Sequence, residues 1–165
     1  MKYFAVPFVL SLMCGCLLGG CTSVLSEKVL HDSEPRLAFQ EIRQFPKKYK
    51  GRMVVFGGTL IQKETGKEGT WVEVLQRPLD WRLKPYLDDR SDGRFLVKTD
   101  QLLEPEEFTK NRLITVAGII AAPETRKLGS MEYHYPVLQL EEYQLWSEQR
   151  SRPNIFLSIG ISGSF

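Results

Sequence analysis

Two histidines, three cysteines and 20 carboxylates are the groups from which this 165-residue chain would have to build any chemistry. His31 and His134 belong to no H-x-x-x-H or finger-like spacing, and the cysteines fall together at 14, 16 and 21, so no zinc site is composed. A serine nucleophile would find only His134 as a base within the body of the chain, and no G-x-S-x-G, P-loop or G-x-G-x-x-G occurs. Asp88, Asp89 and Asp92 precede Gly93, which falls at position six of a calcium loop counted from Asp88. Arg90 then stands where position three needs an acid, and Thr99 where position twelve needs glutamate, so the stretch reads as a solvated turn. Glu73, Asp80, Glu104 and Glu132 offer carboxylate pairs of the kind that cleave glycosidic bonds, but any chain this acidic offers them. No catalytic residue, metal or cofactor is assigned.

One stretch is better placed to bind than to react. "RPLDWRLKPYLDDRSDG" is a long connection between two strand patterns, and it interleaves Trp81 and Tyr86 with Arg82 and Lys84. Aromatic rings beside cations stack on a sugar or base, or rest at a lipid interface. Trp81, Arg82 and Tyr86 are therefore the candidate ligand or partner contacts. The competing expectation is structural: Leu79, Trp81 and Tyr86 fold back and cover one mouth of a small barrel.

Those residues must be positioned by strands. "RMVVFGGTLIQKE", "TWVEVLQ", "RFLVKT", "RLITVAGIIAA" and "EYHYPVLQLEEYQLW" are β-branched and aromatic, with period-two spacing and turn-rich separators. Gly57-Gly58 reads as a bulge or sharp bend, Gly118 as a second bend, and Pro136 as an edge or bulge. Before the strands, Pro35 with Leu37, Ala38, Ile42 and Phe45 predicts one short helix over 35–44, stopped by Pro46. The fold class is mainly β: a small, strongly bent five- to six-stranded barrel resembling the OB-fold, with a β-sandwich as the alternative. The expected core is Val54, Phe56, Leu60, Val72, Val74, Phe95, Val97, Val116, Ile119, Val137 and Leu140.

The first 20 residues carry a single charge, Lys2, followed by an apolar run from Phe4 to Leu18 that is short for a membrane span. Without them the chain has 21 basic residues against 20 acidic ones, a balance that gives no pull on nucleic acid. Leu18 at −3 from Cys21 suits ordinary secretory cleavage poorly. Leu-Gly-Gly-Cys resembles instead the bacterial lipobox, in which the cysteine becomes the first mature residue and is acylated. Met13 at −1 excludes Cys14, and Met13 and Cys14 at −3 and −2 make Cys16 a weaker rival. One acyl chain binds a membrane marginally, at about 0.8 kcal/mol per buried methylene, whereas two or three anchor firmly. Thr22 in place of Asp after the cysteine favours transfer to the outer membrane.

Taken together, the lipobox cysteine, "FPKKYKGRMVVFGGTL" at 45–60, "TWVEVLQRPLD" at 70–80, Pro85, "GRFLVK" at 93–98, "LLEPEEF" at 102–108, "RLITVAG" at 112–118 and "LGSMEYHYPVLQLEEYQLW" at 128–146 resemble the Slp family of outer-membrane lipoproteins. The resemblance implies acyl attachment at Cys21, starvation- or stress-linked expression and no established catalytic activity. The chain then divides into a signal peptide at 1–20, a lipidated N-terminus and polar tether at 21–34, a barrel domain at 35–152 and a tail at 153–165. In the tail, Ile155, Leu157, Ile159 and Ile161 alternate with Phe156, Ser158, Gly160 and Ser162. This spacing suits addition to the edge of the chain's own sheet or to an envelope partner's sheet. The expected protein is a non-enzymatic binding or structural domain hanging from outer-membrane lipid on the periplasmic face. The alternative is a small envelope hydrolase using paired carboxylates.

Overall fold

The computed structural model describes residues 23–67 and 69–147. Seven strands form in chain order: β1 (Met53–Gly66), β2 (Gly69–Arg77), β3 (Arg94–Thr99), β4 (Leu113–Ile120), β5 (Glu124–Leu128), β6 (Met131–Tyr135) and β7 (Val137–Leu145). Five of them close a barrel in the order β1-β2-β3-β7-β4, and β5 and β6 form a separate hairpin. All barrel pairings are antiparallel except β3 with β7, which run parallel. This excludes the sandwich and is consistent with the OB-like barrel expected from the sequence.

Of the two strands beyond the five sequence runs, β5 falls between the fourth and fifth runs, and Pro136 accounts for the other. The long run over 132–146 breaks there, because proline cannot donate to a ladder. The half before it, β6, pairs with β5, and the half after it, β7, enters the barrel wall. The Pro136 carbonyl still serves β3 by accepting from the Leu96 N–H at 2.9 Å.

The core follows the period-two pattern. Nine of the eleven expected residues, Val54 to Val97 together with Val116 and Leu140, lie in the main interior cluster. Val137 belongs to a second cluster with Leu96 and Tyr135, on the outside of the wall. Ile119 is half-buried and faces outward, since the inward parity of Ile114 and Val116 runs through Gly118 to Ile120. The β1 register shift falls between Leu60 and Gln62 rather than at Gly57-Gly58. At Gly118 the expected irregularity does occur, in the pairing with β7.

Among the described residues, two helices precede the barrel where one was expected. The second, α2 (Phe39–Gln44), is shorter than the 35–44 reading because Pro35 lies in a turn closed by Leu37 N–H to the Glu34 carbonyl at 3.2 Å. Phe39 and Ile42 enter the core, and the Phe39, Phe56 and Phe95 rings meet pairwise at centroid separations of 5.2, 5.9 and 5.9 Å. This aromatic triangle fills one end of the barrel. Leu103 and Phe108, from the β3–β4 connection, join the same core, with Phe108 edge-on to Tyr143.

The first helix, α1 (Glu27–Asp32), corrects the reading of residues 21–34 as a tether. Leu25 is 1% exposed. The Ser26 N–H and hydroxyl both donate to the Glu142 carboxylate, at 3.0 and 2.8 Å, while the Ser26 oxygen caps the helix by accepting from the Val29 N–H. The polar sequence conceals this because its partner, Glu142, lies more than a hundred residues away.

The β5–β6 hairpin covers the outer face of β2 and β3. Glu73, which alternation assigns to a wet face, is 7% exposed. Its Oε1 accepts from Arg94 Nη1 at 2.8 Å and from the Tyr135 hydroxyl at 3.0 Å. Tyr133 accepts from the Arg94 N–H at 2.9 Å. Gly93, at φ 132, leaves no room for a side chain beneath Tyr133 and Arg43.

Burial, and next the bond to Glu73, push the Tyr135 hydroxyl up to about 12. A raised folded-state pKa means that this group's contribution is complete below the ordinary tyrosine value of 10.0 and is lost as pH climbs through the folded value. Urea midpoints followed from pH 9 to 12 should therefore fall more steeply in the native protein than in Tyr135→Phe, the difference reaching on the order of 2 kcal/mol at the alkaline end. Parallel curves would show that the hydroxyl does not hold the hairpin.

Candidate functional site

The connection between β2 and β3 does not plug the barrel; it straps the outside of the wall. Gly57 on β1 pairs with Thr115 on β4, and both point outward. A Cβ on Gly57 would press into the Leu79 side chain and lie 3.0 Å from Pro85 Cγ, so its absence is what seats the strap. Leu79 and Pro85 bridge to each other across the turn. Inside that turn Asp80 Oδ1 accepts from the N–H groups of Arg82 and Lys84 at 2.8 and 2.9 Å, the local bonding that makes Asp a turn residue. Leu83 sits at the apex with φ 62, a left-handed conformation costly for a branched side chain. Its carbonyl accepts from the Thr115 hydroxyl at 2.5 Å, and the same Thr115 oxygen accepts from Trp146 Nε1 at 3.0 Å. Thr115 thus joins the strap, the wall and the end of β7, and it is fully buried.

Two of the three expected plug residues, Trp81 and Tyr86, are consequently at the surface, while Leu79 packs on the wall. Trp81 is 83% exposed and Tyr86 44% exposed, because the strap's inward contacts are made by Leu79, Pro85 and Leu83. Trp81 and Arg82 are brought together, with the guanidinium carbon 4.4 Å from the ring centroid. Tyr86 is not part of that pair; Arg90 lies over it at 5.3 Å. Arg90 in turn binds Asp88 and holds its carboxyl below the usual carboxylate range. Leu87 adds 68% exposure, so three of the six exposed large apolar side chains among the described residues fall between positions 81 and 87.

Beside the strap lies a cleft of about 340 Å³, lined by Lys84, Leu87, Lys110, Asn111 and Arg112 with Leu113 and Ser147. The Arg112 guanidinium is braced by the carbonyls of Glu107, at 2.8 Å, and Trp146, at 3.2 Å. Asn111 takes a left-handed turn at φ 69 that lets its N–H reach the Leu60 carbonyl at 2.8 Å. Sequence reasoning missed Leu87, Lys110 and Arg112. The two cations come from the β3–β4 connection, and only barrel closure brings that connection beside the strap.

The other candidate groups are held structurally or stand alone. Glu73 is bound to Arg94 and Tyr135, and Asp80 to its own turn. Glu104 and Glu132 are exposed, and His134 pairs with Thr125 on the hairpin surface. Among the described residues no three His, Cys, Asp or Glu side chains gather as metal ligands. Cys21 and the 153–165 tail lie outside the described residues.

Gly57→Val places a branched side chain where Leu79 and Pro85 rest, so it should unseat the strap at a cost of about 1–3 kcal/mol, as overpacking does. Thermal unfolding would record a lower midpoint and tryptophan fluorescence a wetter Trp146; an unchanged protein would mean that the strap does not depend on this contact.

A model of the outer membrane lipoprotein Slp family matches residues 18–159. Among curated proteins, an uncharacterized protein of Haemophilus influenzae is 36% identical over 97 residues, which is 58% of this chain and 52% of that protein. The lipoprotein YeaY of Escherichia coli is 28% identical over 130 residues, 79% of this chain and 67% of its own length. The outer membrane protein Slp of Escherichia coli is 26% identical over 132 residues, 79% and 69% respectively. The chain thus spans about half the length of the Haemophilus relative and about two thirds of the other two. None of these names carries an enzymatic activity. With the family's model matched from residue 18 through the whole described barrel, the chain belongs to the Slp family of outer membrane lipoproteins.

Proposed function

We propose that this protein is a non-catalytic binding module of the cell envelope, acylated at Cys21 and held on the periplasmic face of the outer membrane. The observation that carries the reading is the docking of the N-terminal segment. Leu25 is buried and Ser26 is bound to Glu142. Leu25 lies four positions from Cys21, a reach of at most roughly 14 Å even when fully extended. A membrane anchor at that cysteine therefore keeps the barrel against the bilayer with almost no slack.

A binding role is further supported by the state of the carboxylates. Glycoside cleavage needs an acid and a partner about 5–9.5 Å apart across a cleft. Glu73 is instead buried beneath the hairpin with its cation, and Asp80 closes the strap's turn. The aromatic and cationic surface around Trp81, by contrast, is open to solvent. In the same reading the protein serves envelope maintenance under stress, and the 153–165 tail engages an envelope partner by strand addition.

Mass spectrometry of the mature N-terminus should find acyl groups on Cys21, and Cys21→Ser should move the protein out of the outer-membrane fraction. Protease added to whole cells should spare the barrel, and protease added to spheroplasts should cut it. An unmodified thiol at Cys21 would remove the anchor on which this reading stands, and cleavage in whole cells would place the domain on the other face.

A further inference from the structure

We infer that the strap and the cleft beside it form a lipid-binding face, in which Lys84, Lys110 and Arg112 take the phosphate of an anionic phospholipid headgroup while Trp81 and Leu87 rest in the membrane interface. This deepens the anchored reading above and rests on it, because the anchor is what brings the face to a bilayer.

Three observations converge on a lipid. The first is position. Thr115 and Ala117 are successive outward residues of β4, about 7 Å apart. The strap's Leu83 is bonded to Thr115, and Glu142, which holds Ser26, is the register partner of Ala117. The root of the membrane leash and the strap are therefore neighbours on one side of the barrel. Ser26 itself is five residues from Cys21, at most roughly 18 Å of extended chain.

The second is charge. The described walls of the cleft carry three cations and no acid. No carboxylate among the described residues forms an ion pair with Lys84, Lys110 or Arg112, although Arg52, Arg90, Arg94 and Arg126 all have such partners. Two of the five Arg112 donors are fixed on carbonyls, which holds the fork in place with donors to spare for phosphate oxygens.

The third is the rim. Leu87 lines the cleft and is 68% exposed, and Trp81 on the same strap is 83% exposed with Arg82 stacked on it. A soluble anion asks for no apolar rim. A headgroup does, because an indole ring and the apolar stems of Arg and Lys are the side chains that settle at the boundary between water and acyl chains. The strained turn at Leu83 and the Asp80 bonds keep this rim rigid, so little order has to be imposed when it meets the surface.

The chain from Thr22 onward lacks the acyl site and retains every element described above, so it tests the face without the anchor. In flotation assays it should bind vesicles of phosphatidylcholine mixed with phosphatidylglycerol and not phosphatidylcholine alone, with a blue shift of tryptophan emission that Trp81→Phe removes. Lys84→Ala with Lys110→Ala should weaken binding roughly 25-fold, about five-fold for each cation near an anionic surface. Lys47→Ala with Lys48→Ala, at the opposite approach to β1, should leave it within two-fold. Unchanged thermal midpoints in both pairs would assign the loss to charge and not to folding. Absence of binding, equal binding to neutral vesicles, equal losses in the two lysine pairs, or saturation by millimolar inorganic phosphate without vesicle binding would each overturn the lipid-binding face. Acylated Cys21 together with any of those results would leave the anchored reading standing alone.

Discussion

Three residue pairs close the wall on which every other part of the molecule is hung: Leu96 with Val137, Val97 with Leu138 and Lys98 with Gln139. They form the single parallel contact of the barrel, and they join strands separated by the whole β4 and hairpin excursion. Parallel pairing is slightly weaker per residue, and its loop-closure cost is incurred before any contact compensates it. The compensation comes from inside. Phe95, Val97 and Leu138 enter the same core as Val116 and Val74, and the Phe39–Phe56–Phe95 rings fill the end. Closure and core formation are one event.

Once closed, so small a barrel has more outer wall than it can leave wet. Three segments cover it, and each is fastened at one outward polar residue. Glu73 receives the hairpin through Tyr135, Thr115 receives the strap through Leu83, and Glu142 receives the N-terminal segment through Ser26. A polar group under a cover is costly unless its bonds are made, and no buried side-chain nitrogen or oxygen among the described residues lacks a partner. These bonds therefore fix where each cover sits, while Leu79 on Gly57 and Trp71 under the hairpin supply the apolar contact.

The same arrangement explains what could be read from the sequence. Period two reports which residues face the interior, so Val54, Phe56, Val72, Val74 and Val116 were legible, as was the class of fold. Outward positions look polar whether or not something lands on them. Glu73 thus passed for a residue of the wet face, and the 21–34 stretch for a tether, because the partners lie 62 and 116 positions away. The strap shows the limit most directly. Trp81, Arg82 and Tyr86 stood out by type and spacing as candidate contacts, and Trp81 with Arg82 does form a stacked pair. The direction in which the loop folds was not recognisable, since it depends on one missing Cβ at Gly57. Lys110 and Arg112 carried no local signal at all.

A leash this short changes what the exposed face must accomplish. A free domain would need an affinity large enough to offset lost translational and rotational freedom, of order 4–15 kcal/mol, before it stayed on a surface. With the proposed acyl anchor at Cys21, four positions before the buried Leu25, that cost would be met by the anchor, and a second contact would act at high effective concentration. Individual surface cations are worth only about 1 kcal/mol each near an anionic leaflet. Under tethering, a few of them with one indole are enough to set the orientation of the barrel. Weak contacts on a short leash are thus sufficient for the lipid-binding face proposed above.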